Sequence, residues 1–258
     1  MATGQPLVLK CEIGAIQTSE PLQCLLMRPA KPREPDSLGR LAVDVARCRA
    51  CPRLVAWRES VASEKRASYR DETYWGRPVP GFGDPMAKLL VLGLAPAAHG
   101  ANRTGRLFTG DRSGDWLFRA MHRAGFANQP TSTALDDGLV LRNSYVAAAV
   151  RCAPPDNKPS VEERDRCLAF LRREIALLTR LKLVVVLGRF AYDVAARELG
   201  VRGRPAFGHG VQVQAPNGLM LLCSFHPSQQ NTFTKRLTED MLDAVFSRAA
   251  VLCHDSTV

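Results

Sequence analysis

Four short stretches stand out in the pattern of apolar and polar positions. Residues 89–92, 145–150, 183–187 and 219–225 are apolar almost without interruption. Continuous apolarity over so short a span matches a strand covered on both faces, whereas a half-exposed strand would alternate. The segments between them carry a helical period. Ser160-Val161-Glu162-Glu163 offers a capping serine with a glutamate three residues later, the start of a helix running to Leu178. Residues 189–199 are amphipathic and stop at Gly200, and residues 234–252 form another long helical candidate. Strands alternating with helices predict a single α/β domain: a central four-stranded parallel sheet flanked by helices on both faces. That domain is expected over residues 39–252. Residues 1–38 show little periodicity and include the run Pro29-Ala30-Lys31-Pro32-Arg33-Glu34-Pro35, so a loose N-terminal extension is expected there.

The ends of the predicted strands are more informative than the strands. The first stops at Gly93-Leu94-Ala95-Pro96 and enters a long polar loop, GLAPAAHGANRTGRLFTGD, ending at Asp111. Connections in α/β units usually take about 2–6 residues, so a loop of this length points to function. The second strand ends at VRCAPPDNKP and the fourth at His226-Pro227-Ser228, while the third runs through Gly188 straight into a helix. In a parallel sheet these three polar segments meet at one carboxyl edge, where α/β proteins place their ligands.

Composition narrows the class of partner. Of 258 residues 46% are hydrophobic, enough for a sizeable core, and no run approaches the length of a membrane span. The first residues lack a basic stretch followed by an apolar one, so a cytoplasmic protein is expected. The net charge is +10, and 28 of the 35 basic residues are arginine, whose forked donors suit phosphates. In a reducing compartment, spaced cysteines indicate metal more than disulfides. Cys48 and Cys51 form a C-x2-C pair; Cys152 follows the second strand and Cys167 lies in a helical stretch. Four thiolates suit zinc or an iron–sulfur cluster equally. Cys223 reads as core, and Cys11, Cys24 and Cys253 as free thiols.

The long first loop, the VRCAPPDNKP segment, the HPS triplet and four cysteines in this order resemble the uracil-DNA glycosylase superfamily, and within it the iron–sulfur type B branch, or family 5. The likeness covers about residues 40–250. It implies a DNA repair enzyme that flips uracil, and other deaminated or modified bases, out of single- or double-stranded DNA and hydrolyses the N-glycosidic bond to leave an abasic site. It also implies a monomer acting on the nucleoid, and a [4Fe–4S] cluster on Cys48, Cys51, Cys152 and Cys167.

Roles for other residues follow from the same likeness. Phe108 is the stacking platform for the flipped base, with Gly93 and Ala95 beside it; the alternative for Phe108 is core packing. His226 donates to the departing base. Related branches place Asp or Asn where this chain has Ala95, so water positioning is assigned to Asp111, helped by Asn157. Asp111 also reads as a helix cap and Asn157 as a turn residue. Arg103, Arg106, Ser228, Lys235 and Arg236 are candidates for DNA contact, against a solvated surface. Where relatives carry an Asn that reads the uracil edge this chain has Ala147-Ala148-Ala149, which predicts a broad substrate range. Two other classes remain open: a non-catalytic iron–sulfur or zinc nucleic-acid-binding protein, and a hydrolase using His226, the latter weakened by the lack of a G-x-S-x-G elbow.

Overall fold

A computed structural model describes residues 35–203 and 205–254. Four strands, β2 (Leu89–Gly93), β3 (Ser144–Ala148), β4 (Leu183–Leu187) and β6 (Met220–Ser224), pair in parallel in the order β3-β2-β4-β6. They are the four predicted runs with ends moved by at most two residues: β2 is one residue longer, β4 matches, and β3 and β6 are shorter. Two short antiparallel edge strands widen the sheet to six: β1 (Phe82–Gly83) beside β3 and β5 (Gln212–Gln214) beside β6. The expected four-stranded sheet is therefore the interior of a six-stranded one. Neither edge strand has a readable pattern. β1 is two residues long, and β5 buries only Val213 between two exposed glutamines.

The continuous apolarity has a direct cause. Successive side chains of a strand point to opposite faces, and both faces here are covered. On one side Leu89, Val91, Val185 and Leu222 pack against α4 (Arg112–Arg123) and α8 (Glu239–His254), which contribute Phe118, Met121 and Phe246. On the other, Leu90, Leu92, Val184 and Val186 pack against α5 (Val161–Leu177) and α6 (Arg189–Glu198), through Leu168, Leu171 and Tyr192.

Helix α5 begins as predicted. Ser160 Oγ accepts from the Glu163 amide at 3.2 Å while a Glu163 carboxylate oxygen accepts from the Ser160 amide at 2.7 Å. The predicted helix over 234–252 is shorter than expected. A one-turn helix, α7 (Gln229–Phe233), ends at Thr234, Lys235 turns left-handed at φ 56°, and α8 starts only at Glu239. Two further helices precede the sheet, α1 (Leu38–Arg47) and α2 (Pro52–Glu64), and a single turn, α3 (Ala101–Thr104), lies inside the long loop. The expected extension falls, up to residue 34, outside the described residues, as do Cys11 and Cys24. Asp36 and Ser37 are already engaged: Arg173 donates to Asp36 at 2.8 Å, and Ser37 caps α1. Among the described residues no helix is long and apolar enough to cross a membrane.

Candidate active site and thiol cluster

The long loop folds back on the strand it leaves. Gly93, the last residue of β2, faces the ring of Phe108 so closely that a Cβ there would lie 2.7 Å from Phe108 Cζ. Phe108 itself is held at φ 53°, a left-handed conformation unusual for an aromatic residue. Strain of this kind, on the order of 1–3 kcal/mol, is kept only where the surroundings enforce it. One enforcing contact is visible: a Cβ on Gly114 would lie 1.9 Å from the Phe108 carbonyl oxygen, so the first turn of α4 closes directly beneath that peptide. The ring is half-buried, packed on the core at one side and 6.0 Å from the His226 ring at the other. The side chain thus has one face on the core and the other toward His226.

His226 follows β6. Gly188, at φ +90°, leaves room for it, since a Cβ there would come within 3.2 Å of His226 Cβ. Asn231 Nδ2 donates to the His226 carbonyl at 2.8 Å and locks the loop, and Ser228 caps α7. His226 lines a cavity of about 260 Å³ with Leu94, Phe190, Phe207, Phe225 and Arg236. Burial lowers its pKa to about 4, so the imidazole is neutral at pH 7. A neutral ring donates one N–H without bringing a charge.

Asp111 is the N-cap of α4: its Oδ1 accepts from the Gly114 amide at 2.9 Å. The other carboxylate oxygen presses on Gly100, where a Cβ would lie 2.2 Å away, so only glycine fits. Burial raises the pKa of Asp111, and the backbone donors of the helix start oppose that shift only in part. The cap reading is therefore correct.

Two expected DNA contacts are corrected. Arg103 and Arg106 are 8% and 5% exposed and work inside the loop. Arg103 donates to the carbonyls of His99 (2.8 Å) and Gly110 (3.0 Å), pairs with Glu72 and lies over Tyr69, stapling the two ends of the loop. Arg106 joins Asp137, Ser132 and Thr109 at 2.6–3.0 Å. A sequence presents a guanidinium only as a charge; the loop is long enough to enclose its own arginines. Asn157 lies in the turn after Pro154-Pro155. It is exposed, at φ 55° in a 3-10 turn, and its side chain makes no hydrogen bond among the described residues. The turn reading accounts for it.

Lys235 and Arg236 are exposed, with Arg236 over the Phe225 ring. The sequence reading missed their neighbour Phe233, 66% exposed, with the Arg112 guanidinium 5.3 Å from its ring centre. Nothing in a sequence separates an exposed phenylalanine from a core one.

The four cysteines come from four places. Cys48 ends α1, Cys51 precedes α2, Cys152 follows β3 and Cys167 lies in α5. Cys51, Cys152 and Cys167 share one buried cluster with Leu54 and Val150, and Ala95 packs against it from the end of β2. Burial pushes the Cys152 thiol up to about 12 and raises Cys51 and Cys167, and the charge of neighbouring thiols acts on these three in the same direction. Among the described residues no three His, Cys, Asp or Glu side chains are arranged to hold a single ion directly. Two buried arginines flank the thiols. Arg58 Nη1 donates to Cys152 Sγ at 2.9 Å, and Arg151 pairs with buried Glu174 at 3.0 Å. Cys223 and Cys253 are core residues.

The family model of the uracil DNA glycosylase superfamily matches residues 80–250, the span that holds the long loop, Asp111 and His226. The chain belongs to the uracil DNA glycosylase superfamily. It is 52% identical over 219 residues to the type-5 uracil-DNA glycosylase of Mycobacterium tuberculosis, covering 84% of this chain and 82% of the relative. It is 51% identical over 203 residues to the type-5 enzyme of Thermus thermophilus, covering 78% and 92% of the two chains. The type-4 uracil-DNA glycosylase of Pyrobaculum aerophilum is 28% identical over 166 residues, covering 60% of this chain and 74% of that enzyme. Membership accounts for the fold.

Proposed function

We propose that this protein removes uracil, and other deaminated or modified bases, from DNA by hydrolysing the N-glycosidic bond. The observation that carries the site assignment is the approach of the Phe108 and His226 rings, centres 6.0 Å apart, with Phe108 against Gly93 at the end of β2 and His226 against Gly188 after β4. A base within a duplex must leave the stack before any side chain reaches its sugar. Phe108 stacks on the extruded base, a contact worth about 1–3 kcal/mol. Water then adds to the sugar carbon and the N-glycosidic bond breaks. Its electron pair leaves with the base, and the water proton passes to Asp111. Neutral His226 donates to the anion developing on the base, as an oxyanion donor does. Its low pKa suits that role, because it meets the anion as a hydrogen-bond donor and gives up no proton.

The breadth of substrate rests on β3 and the residues after it. Ala147, Ala148 and Ala149 are fully buried and offer no amide to a base edge, so discrimination falls to shape and to His226. Lys235, Arg236, Arg112 and Phe233 form an exposed basic and aromatic patch suited to phosphates and unstacked bases. The enzyme acts as a monomer on nucleoid DNA in the cytoplasm.

The cysteines fit a [4Fe–4S] cluster better than zinc. Cys51, Cys152 and Cys167 share one buried cluster, half-buried Cys48 completes the set of four soft donors, and such a set is what a four-iron cluster requires. The unpartnered Nε atoms of Arg58 and Arg151 fit negative charge nearby. When bound, such a cluster cross-links α1, α2, the segment after β3 and α5. The test of the function is a duplex bearing one uracil, incubated with the protein and then cleaved with alkali. A strand break at that position is expected; intact strands with DNA still bound would instead identify a non-catalytic binding protein.

A further inference from the structure

Arg58 lies in α2 at 2% exposure. Its Nη1 donates to Cys152 Sγ at 2.9 Å, both terminal nitrogens approach the Cys48 carbonyl at 3.4 Å, and its Nε has no partner. The carboxylate within ion-pair range, Glu59, is 3.7 Å away, 44% exposed, and already held by Arg49 at 2.5 Å. Arg151 makes the contrast. It too is buried beside the thiols, but Glu174, equally buried, neutralises it. A buried guanidinium without a buried counter-charge is strongly unfavourable. Arg58 therefore requires an anion in its surroundings, and the thiol cluster is what it touches.

We propose that Arg58 is the counter-ion of the four-cysteine site, holding Cys152 through an N–H···S hydrogen bond when metal is bound. This rests on reading Cys48, Cys51, Cys152 and Cys167 as metal ligands. Four thiolates outweigh the charge of zinc or of a four-iron cluster, so the filled site is an anion in either case. Its planar fork lets Arg58 serve Cys152 and the Cys48 carbonyl together, which a point charge cannot do. Arg58 is a positioning residue, acting through Cys152.

One further bond makes the test clean. Asn102, fully buried in the long loop, donates to the main-chain carbonyl of Arg58 at 3.2 Å. Changing the Arg58 side chain leaves that tie between loop and α2 in place. Arg58→Met keeps the packing volume and removes both donors and charge; Arg58→Gln keeps a donor and removes the charge. Each is purified without oxygen beside the unmodified protein. Iron, sulfide and zinc per chain are measured, then the rate of metal release to a chelator, with circular dichroism to check the fold. Outer-shell partners of metal ligands typically carry about 10–100-fold in affinity. Both variants should therefore release metal at least about tenfold faster than the unmodified protein. Release at the unmodified rate from either folded variant overturns the proposal, and Arg58→Gln decides the matter if Arg58→Met does not fold. Unmodified protein carrying no metal would overturn the ligand reading itself, a different and distinguishable result.

Discussion

Gly93 has no side chain, and that is its contribution. The Phe108 ring occupies the space a Cβ would need, so Gly93→Ala must displace the ring or the strand end. We expect Gly93→Ala to lower productive binding of a uracil duplex about as much as Phe108→Ala, within the roughly 1–3 kcal/mol of a stacking contact. Single-turnover kinetics against duplex concentration measure it; unchanged binding in both variants would remove Phe108 from the site. Asp111→Asn isolates a different role. Asn caps helices as well as Asp does, and the substitution removes a carboxylate whose ionisation burial opposes. The fold should be kept, with Tm at neutral pH equal or higher, while excision falls about 10²–10⁴-fold. Because the pKa of Asp111 is raised, the acid limb of the rate profile should lie above the ordinary carboxylate range. A full-rate Asp111→Asn enzyme would show that water is positioned elsewhere.

His226 links the residue scale to stability. Its pKa is depressed to about 4 in the fold, against about 6.5 in an unfolded chain. Below pH 6.5 the unfolded state therefore binds the extra proton, and folding stability drains away between about pH 6.5 and pH 4. Replacing His226 with Gln should flatten that part of the curve, as read by urea unfolding at a series of pH values. An unaltered slope would mean that His226 titrates normally.

At the scale of elements, the buried arginines and the capping box tie pieces together. Arg106 pairs with Asp137, and both side chains are almost wholly enclosed. Breaking such a pair from one side usually costs about 3–5 kcal/mol. Arg106→Ala should therefore destabilise by that order and leave the salt dependence of DNA affinity unchanged; a slope reduced by about 1 would return Arg106 to the phosphates. Glu163 serves twice, capping α5 and pairing with Arg53 of α2 at 2.6 Å. Two of the helices that bring cysteines together are thus braced by one carboxylate. The capping box is readable from four consecutive residues because it is local. The brace is invisible in the sequence, since 110 positions separate its partners.

For the whole molecule, the positive charge is uneven in function. Many of the arginines are spent on internal pairs, with Asp36, Glu72, Asp137 and Glu174 among their partners. DNA affinity should fall steeply with salt, because each neutralised phosphate releases counterions. Lys235→Ala and Arg236→Ala should each reduce the log–log slope by about 1. Slopes unmoved by both variants would shift the DNA track to another face.

The sequence by itself determined the four interior strands, the capped start of α5 and the long polar loop after β2. Each rests on short-range pattern: continuous apolarity, a cap three residues from its partner, or a loop too long to be a mere connection. Tertiary structure decided what those patterns leave open. It turned Arg103 and Arg106 inward, left Asn157 in solvent, exposed Phe233, added two edge strands and set Arg58 against Cys152. The physical reason is the same throughout. The sequence states a side chain's chemistry, but burial and partners depend on which distant segments pack against it, and packing is a property of the folded chain.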